Sequence, residues 1–373
     1  MSEQTGSRSQ HTGNRDATIG DESDPILEIN NLEKHFVQND GIMDRLMNRE
    51  RQLVQAVDGV SLTLERNEVQ GVIGESGCGK TTLLQTLMGL EDPTDGEIIF
   101  KGKDVSDLSR SERKQFQNDV QIIFQDPFNA LDPRLTIKES VAEPLEIHGM
   151  DDQERRIRDA LEVVELNPPE RYLYRYPHQL SGGEKQRVSI ARALVVEPDL
   201  ILADEPVSML DVSTQAAILR LLDDLVRDQN LSMLYISHDL STVSYVCDEI
   251  NVMYLGRIVE RAPVRRLLKD PKHPYSQALI GAIPIANPHE DRSRTRIGGD
   301  VPDPVNISEG CRFRDRCPER MDVCETTPVL YEVEAGHQTS CHLYYDHEAV
   351  TGDEQGVGYD TNGAGDTNDG DNR

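Results

Sequence analysis

Short apolar runs alternate with longer stretches of helical period along most of the chain. PILEINN at 25–31 and VSLTLER at 60–66 carry the alternation of half-buried strands and read as an early antiparallel pair. VQGVIG at 69–74 is a buried strand that runs into a glycine-rich turn, and GKTTLLQTLMGL at 79–90 follows it as a helix. EIIF at 97–100 and VQIIF at 120–124 are further strands. DLILADEP at 199–206 and LSMLYISHD at 231–239 are apolar strands that end in charged or polar residues. Between those two, TQAAILRLLDDLVRD places Ile218, Leu221, Leu222 and Leu225 on one helical face. Strand, helix and strand in that order predict a mostly parallel sheet with its ligand at the carboxyl ends of the strands. Residues 126–196 break the rhythm. They are helical, rich in charge and proline, and read as an inserted subdomain.

At 373 residues the chain has room for one large α/β domain and a smaller module. No apolar run approaches the roughly 20 residues that span a bilayer. The first 24 residues lack the apolar centre of a signal peptide, so a cytoplasmic protein is expected, acting on a membrane only through a partner. Residues 1–24 and 347–373 are poor in apolar residues and read as disordered acidic tails.

The formal charge is −28. Residues 1–24 contribute −3 and residues 346–373 contribute −7, which leaves −18 on the folded part. Nine lysines stand against thirty arginines. An acidic, lysine-poor surface fits a cytoplasm of very high salt, where counterions screen the self-repulsion; an ordinary acidic protein is the alternative. The same balance excludes a nucleic-acid partner, which requires concentrated basic charge.

GESGCGKT at 74–81 has the G-x-x-x-x-G-K-[ST] spacing in the context that gives it meaning, after a strand and at the start of a helix. Gly74, Gly77 and Gly79 let the backbone turn its amides onto a β-phosphate. Glu75, Ser76, Cys78 and Thr82 complete the loop, Lys80 reaches the β and γ oxygens, and Thr81 can ligate Mg²⁺. Asp204 ends an apolar strand, placed to hold Mg²⁺ through water, and Glu205 beside it is placed to orient or deprotonate an attacking water. His238 ends the next strand, within reach of a γ-phosphate. LSGGEKQR at 180–187 is a second helix start suited to an anion, about a hundred residues from the first.

GESGCGKT, Gln125 in IIFQDP, LSGGEKQR, LILADEP, SMLD at 208–211 and YISHD occur together in the order of an ABC transporter ATPase, and residues 26 to about 262 resemble that family. The resemblance implies a P-loop ABC cassette: an α/β fold with a RecA-like parallel-sheet core, an antiparallel β subdomain and the helical signature subdomain at 126–196. It implies that Gln125 touches Mg²⁺ and reports to the membrane partner, that Asp211 is the D-loop aspartate, that His238 is the switch histidine, and that Phe36 stacks on adenine. Such ATPases close head to tail, so Ser181, Gly182 and Gly183 would hold the γ-phosphate of ATP bound to a partner's glycine loop. The two anion sites therefore serve different ATP molecules.

Four of the six cysteines, Cys311, Cys317, Cys324 and Cys341, form a C-x5-C-x6-C-x16-C array. Such a set suits zinc or an iron–sulfur cluster, and the spacing alone does not choose. HPYSQALIGAIP at 273–284 followed by GCRFRDRCP resembles the C-terminal extension of dipeptide/oligopeptide importer ATPases, in some members of which the four cysteines go with a [4Fe–4S] cluster; zinc and free or oxidised thiols stay open. His337 and His342 lie nearby but are redundant with four thiolates. The insertion at 37–60, and the pairing of GESGCGKT with DEPVSMLDVSTQA, resemble the F-type of the two sister ATPases in such importers.

The resemblance implies a D-type sister ATPase, two permeases that dock through residues 125–148, and an extracellular binding protein, with the chain at the cytoplasmic face of the membrane. Peptides are the expected cargo, with sugars or nickel as alternatives. A redox-gated ATPase and a non-transport ATPase are the readings outside that class.

Overall fold

The computed structural model describes residues 24–38, 52–282 and 302–344. Both tails, most of the insertion expected at 37–60 and the stretch between the two parts of the C-terminal region lie outside the described residues.

β1 (Leu27–Gln38) pairs antiparallel with β2 (Gln52–Leu64), as the alternation predicts. β3 (Val69–Ile73), buried at every position, leads through the glycine loop into α1 (Lys80–Leu87). β4 (Asp95–Phe100) and β5 (Lys103–Asp104) complete a four-stranded sheet of order β2-β1-β4-β5. Leu27, Ile29 and Leu32 of β1 face Leu83, Leu84 and Leu87 of α1 in one apolar core, so the antiparallel sheet is anchored on the helix that starts at the glycine loop.

After α2 (Arg110–Asp119) and β6 (Val120–Ile123) the chain enters the helical region: α3 (Pro127–Ala130), α4 (Ile137–His148), α5 (Gln153–Val163) and α6 (Gly182–Leu194). It returns to the sheet with β7 (Leu200–Asp204), crosses on α7 (Val212–Gln229), and continues through β8 (Ser232–Ser237), α8 (Leu240–Val246) and β9 (Glu249–Tyr254). Ile218, Leu221, Leu222 and Leu225 are buried, which is the face the periodicity assigns to α7. β6, β7, β8, β3 and β9 are parallel neighbours in that order. β3, between β8 and β9, therefore delivers the glycine loop to the carboxyl edge at mid-sheet.

β10 (Arg257–Pro263) turns back antiparallel on β9, and α9 (Val264–Lys269) and α10 (Pro274–Gly281) follow. β12 (His337–Thr339) pairs antiparallel with β10, and β11 (Tyr331–Glu334) pairs with β12, so the C-terminal region extends the central sheet to eight strands. Its sequence shows no apolar run there. The hairpin is held instead by the free edge of β10 and by a buried hydrogen bond between His337 Nε2 and Glu260 Oε1, 2.7 Å apart. The boundary expected after residue 262 falls inside β10.

Candidate nucleotide site

The glycine loop closes onto α1 through Gly79, which caps the helix at φ 109°, the left-handed region. A Cβ there would lie 2.0 Å from the Ala56 carbonyl oxygen, so only glycine fits. Lys80 is buried and its Nζ donates to the Gly74 and Glu75 carbonyls at 2.7 and 3.0 Å, which bends the ammonium over the loop. Cys78 is packed beneath the loop, and burial pushes its thiol up. A cleft of about 770 Å³ opens above. Gly74, Glu75, Ser76, Gly77, Gly79, Lys80, Thr81, Thr82, Gln125, Glu205, His238 and the half-buried Phe36 all line it. Lys34 Nζ sits 4.9 Å from the Phe36 ring centroid.

β7 ends at Asp204, and Glu205 follows in the left-handed region at φ 44° with its amide donating to the Ile236 carbonyl at 2.8 Å. That turn aims Glu205 at its neighbours. Its Oε2 accepts from Gln125 Nε2 at 2.9 Å and its Oε1 lies 2.8 Å from His238 Nδ1. Asp204 lies behind, partly buried. Burial and then the charge of Glu205 push its carboxyl above the ordinary range, while Lys80 pulls it down. Carboxylate, hydroxyl and amide oxygens are donors for a hard divalent cation, and a buried acid held up by a second acid gains from one. Asp204, Thr81 and Gln125 thus fit Mg²⁺.

Ser181, Gly182 and Gly183 do not line this cleft. They form the start of α6. Ser181 Oγ accepts from the Glu184 amide at 3.3 Å and donates to Glu184 Oε2 at 2.8 Å, and the Ser181 amide donates to the same carboxylate at 2.8 Å. This reciprocal cap keeps the helix start ordered. Asp211 caps α7, accepting from the Ser213 and Thr214 amides, both at 3.1 Å.

None of the six cysteines is in a disulfide. Burial pushes the Cys311 thiol up to about 11 and the Cys341 thiol up to about 12, and the neighbouring cysteines add to both shifts. Cys317 is raised too, by burial. No three of the four sulfurs lie within 4.8 Å of one another. A zinc–thiolate tetrahedron sets its sulfurs about 3.8 Å apart, so the arrangement is not that of a closed zinc site. His337 is committed to Glu260, and His342 Nε2 lies 2.8 Å from the Thr326 carbonyl. Among the described residues, Glu33, His35 and Asp58 are close enough to share a cation. Asp58 is taken by the Arg257 and Arg312 guanidiniums, which outweigh its burial and hold it below the ordinary carboxylate range.

Besides Val54 and Ala56 of β2, four residues at the cleft escape a reading of the motifs. Leu279 and Pro304 line it, Tyr275 Oη accepts from the Glu75 amide at 2.8 Å, and Arg316 pairs with the Glu75 carboxylate. All come from the C-terminal region. The signal for one of them was present: an acid in a phosphate loop calls for a counter-charge.

A glycine loop at mid-sheet, a strand-end acid pair and a capped signature helix define the ATP-binding cassette. The chain belongs to the ABC transporter family, matched over residues 57–208, and is an ATP hydrolase coupled to transport. Residues 259–324 match a second family, described as the oligopeptide/dipeptide transporter C-terminal region, which places the chain in that branch. It is 42% identical over 326 residues to the oligopeptide transport ATP-binding protein AppF of Bacillus subtilis (strain 168), covering 86% of this chain and 97% of that one. It is 40% identical over 318 residues to the dipeptide transport ATP-binding protein DppF of Escherichia coli (strain K12), covering 85% and 94%. Among solved structures it resembles the dimeric post-hydrolysis ATP-binding cassette MJ0796 bound to ADP and phosphate. That match has a TM-score of 0.55 and 30% identity, over 64% of this chain and 99% of that one.

Proposed function

We propose that this chain hydrolyses ATP to power import of di- or oligopeptides through partner permeases, as the F-type member of a pair of sister ATPases. The observation that carries the hydrolytic part is Glu205, held between Gln125 and His238 on the wall of the cleft that also contains Lys80. Glu205 is the base that takes a proton from the attacking water, and His238 orients it and meets the γ-phosphate. Gln125 joins that carboxylate to the surface at 125–148, where the permeases dock. Lys80 leaves its carbonyl partners for the β and γ oxygens. Mg²⁺, when bound by Thr81, Gln125 and Asp204, offsets the charge on the phosphate oxygens.

Ser181, Gly182 and Gly183 serve the partner's ATP. Their absence from the cleft of their own chain, and the dimeric state of MJ0796, support a head-to-tail arrangement with the sister ATPase. Among the described residues no helix is long and apolar enough to cross a membrane; the chain acts as a peripheral subunit held at the cytoplasmic face by its permeases, a reading supported by its likeness to oligopeptide and dipeptide transport ATP-binding proteins. Cys311, Cys317, Cys324 and Cys341 would hold an iron–sulfur cluster, a reading supported by the cysteines lying near enough to raise one another's titration.

The test is uptake of labelled peptides, sugars and nickel by the native cells, comparing wild type with Glu205→Gln. Loss of peptide uptake alone is expected. Loss of sugar or nickel uptake alone would overturn the cargo and keep the mechanism, and no loss at all would overturn transport.

A further inference from the structure

A carboxylate in a loop built to hold a triphosphate works against the loop's task, yet Glu75 lines the cleft. Its charge is met from a distant part of the chain. Arg316 Nη1 donates to Glu75 Oε2 at 2.7 Å and Nη2 donates to Oε1 at 3.1 Å, a bidentate pair. The guanidinium side chain is only 8% exposed. It lies 5.7 Å from the Tyr254 ring and 5.9 Å from the Phe313 ring, and also donates to Tyr254 Oη at 3.3 Å. The backbone that carries it is folded by successive turns, with the Arg314 amide on the Cys311 carbonyl and the Arg316 amide on the Phe313 carbonyl. Arg316 is therefore fixed in place before any nucleotide arrives, directly ahead of Cys317.

We propose that Arg316 is the built-in counter-ion of the phosphate loop: a positioning residue of the C-terminal region that neutralises Glu75 and so makes this loop acceptable to the anionic tail of ATP. The inference rests on the glycine loop being the ATP site. Without Arg316, Glu75 presents a bare carboxylate beside the phosphates and repels them. Without Glu75, the guanidinium remains and attracts them. The two single substitutions therefore have opposite signs, which a merely structural clasp does not produce.

The experiment is calorimetric titration of the full-length chain with Mg²⁺–ATP in the Glu205→Gln background. Arg316→Met is expected to weaken ATP binding about tenfold, and Arg316→Lys much less. Glu75→Gln is expected to bind at least as tightly as its parent, and Arg316→Met with Glu75→Gln is expected to recover to within about threefold. Raising the salt should shrink the loss in Arg316→Met, since the repulsion is screened. Unchanged affinity in Arg316→Met, or a double variant as weak as the single, would overturn the proposal. If Arg316→Met does not fold, Glu75→Gln decides alone, because a clear loss of affinity there contradicts the predicted sign. Failure of the parent to bind ATP would instead overturn the nucleotide-site reading on which the proposal stands.

Discussion

Glu205 Oε1 lies 2.8 Å from Nδ1 of His238, and the two side chains differ sharply in exposure, 13% for the acid and 57% for the imidazole. The acid is fixed by its strained backbone and by Gln125, while the histidine is free to follow a ligand. Glu205→Gln should therefore lower steady-state ATP hydrolysis by about 10²- to 10⁴-fold, the span of a lost general base, and leave ATP binding intact. His238→Ala should cost less, because the base remains. Phosphate release measured beside equilibrium nucleotide binding separates the two steps.

Gly183 is held to glycine by a contact inside this chain. A Cβ on it would meet Thr214 Cγ2 at 2.5 Å, where the start of α6 packs on the start of α7. Gly183→Ala should destabilise the cassette by about 1–3 kcal/mol through overpacking. Thr214→Ser removes the offending methyl and can keep the 2.6 Å bond from the residue 214 hydroxyl to Asp211 Oδ2. The double variant should thus recover most of the loss in thermal unfolding. A double variant that melts like Gly183→Ala would reject this packing account.

Asp204 has a folded-state carboxyl raised by burial and by Glu205. A raised acid contributes stability that is present below its unfolded value near 3.8 and is lost as pH climbs through the folded value. At neutral pH the charged Asp204 is a liability to the fold in the absence of a cation. Asp204→Asn should raise the midpoint of metal-free thermal unfolding by roughly 2–4 °C at pH 7, and the gain should vanish toward pH 3. The same variant should lose Mg²⁺-dependent hydrolysis. A lower midpoint at pH 7 would contradict the sign.

His337 and Glu260 are both fully buried and 2.7 Å apart, and Glu260 also accepts from the Lys272 and His273 amides at 2.7 and 2.9 Å. His337→Ala leaves the carboxylate with its two backbone donors alone. Leaving a buried hydrogen-bonding group short of a partner costs about 1–3 kcal/mol. Denaturant unfolding should register that loss, and hydrogen exchange should rise at residues 331–339 before it rises in β3 or β8.

The phosphate loop, the acid pair and the parallel strands were legible because each is a local pattern: an apolar run, then a fixed spacing of glycine, lysine and acid. Glu205 and His238 could be assigned to one site from two strand ends, since the fold class brings such ends to one edge, whereas Gln125 came only from the resemblance to the ABC transporter ATPases. What was not legible is what depends on long-range pairing. Tyr275 and Arg316 reach Glu75 across 200 and 241 residues, and their own neighbourhoods contain no phosphate-binding pattern. The hairpin of β11 and β12 has too little apolar surface to announce itself, because its stability comes from β10 and from a buried hydrogen bond. The acid excess speaks to solvent and partners and says nothing of fold.

The four-cysteine array gives the most direct remaining prediction. Cys311 and Cys324 are tied through their backbones, the Cys311 amide donating to the Cys324 carbonyl at 2.8 Å, and with Cys341 they are buried. Cys317 is the more accessible member. Protein purified without oxygen should show broad absorption at about 400 nm and contain iron and labile sulfide. Serine at Cys317 should make the colour bleach faster in air, and serine at Cys311 should prevent loading. A colourless, iron-free protein that holds one zinc would reject the cluster.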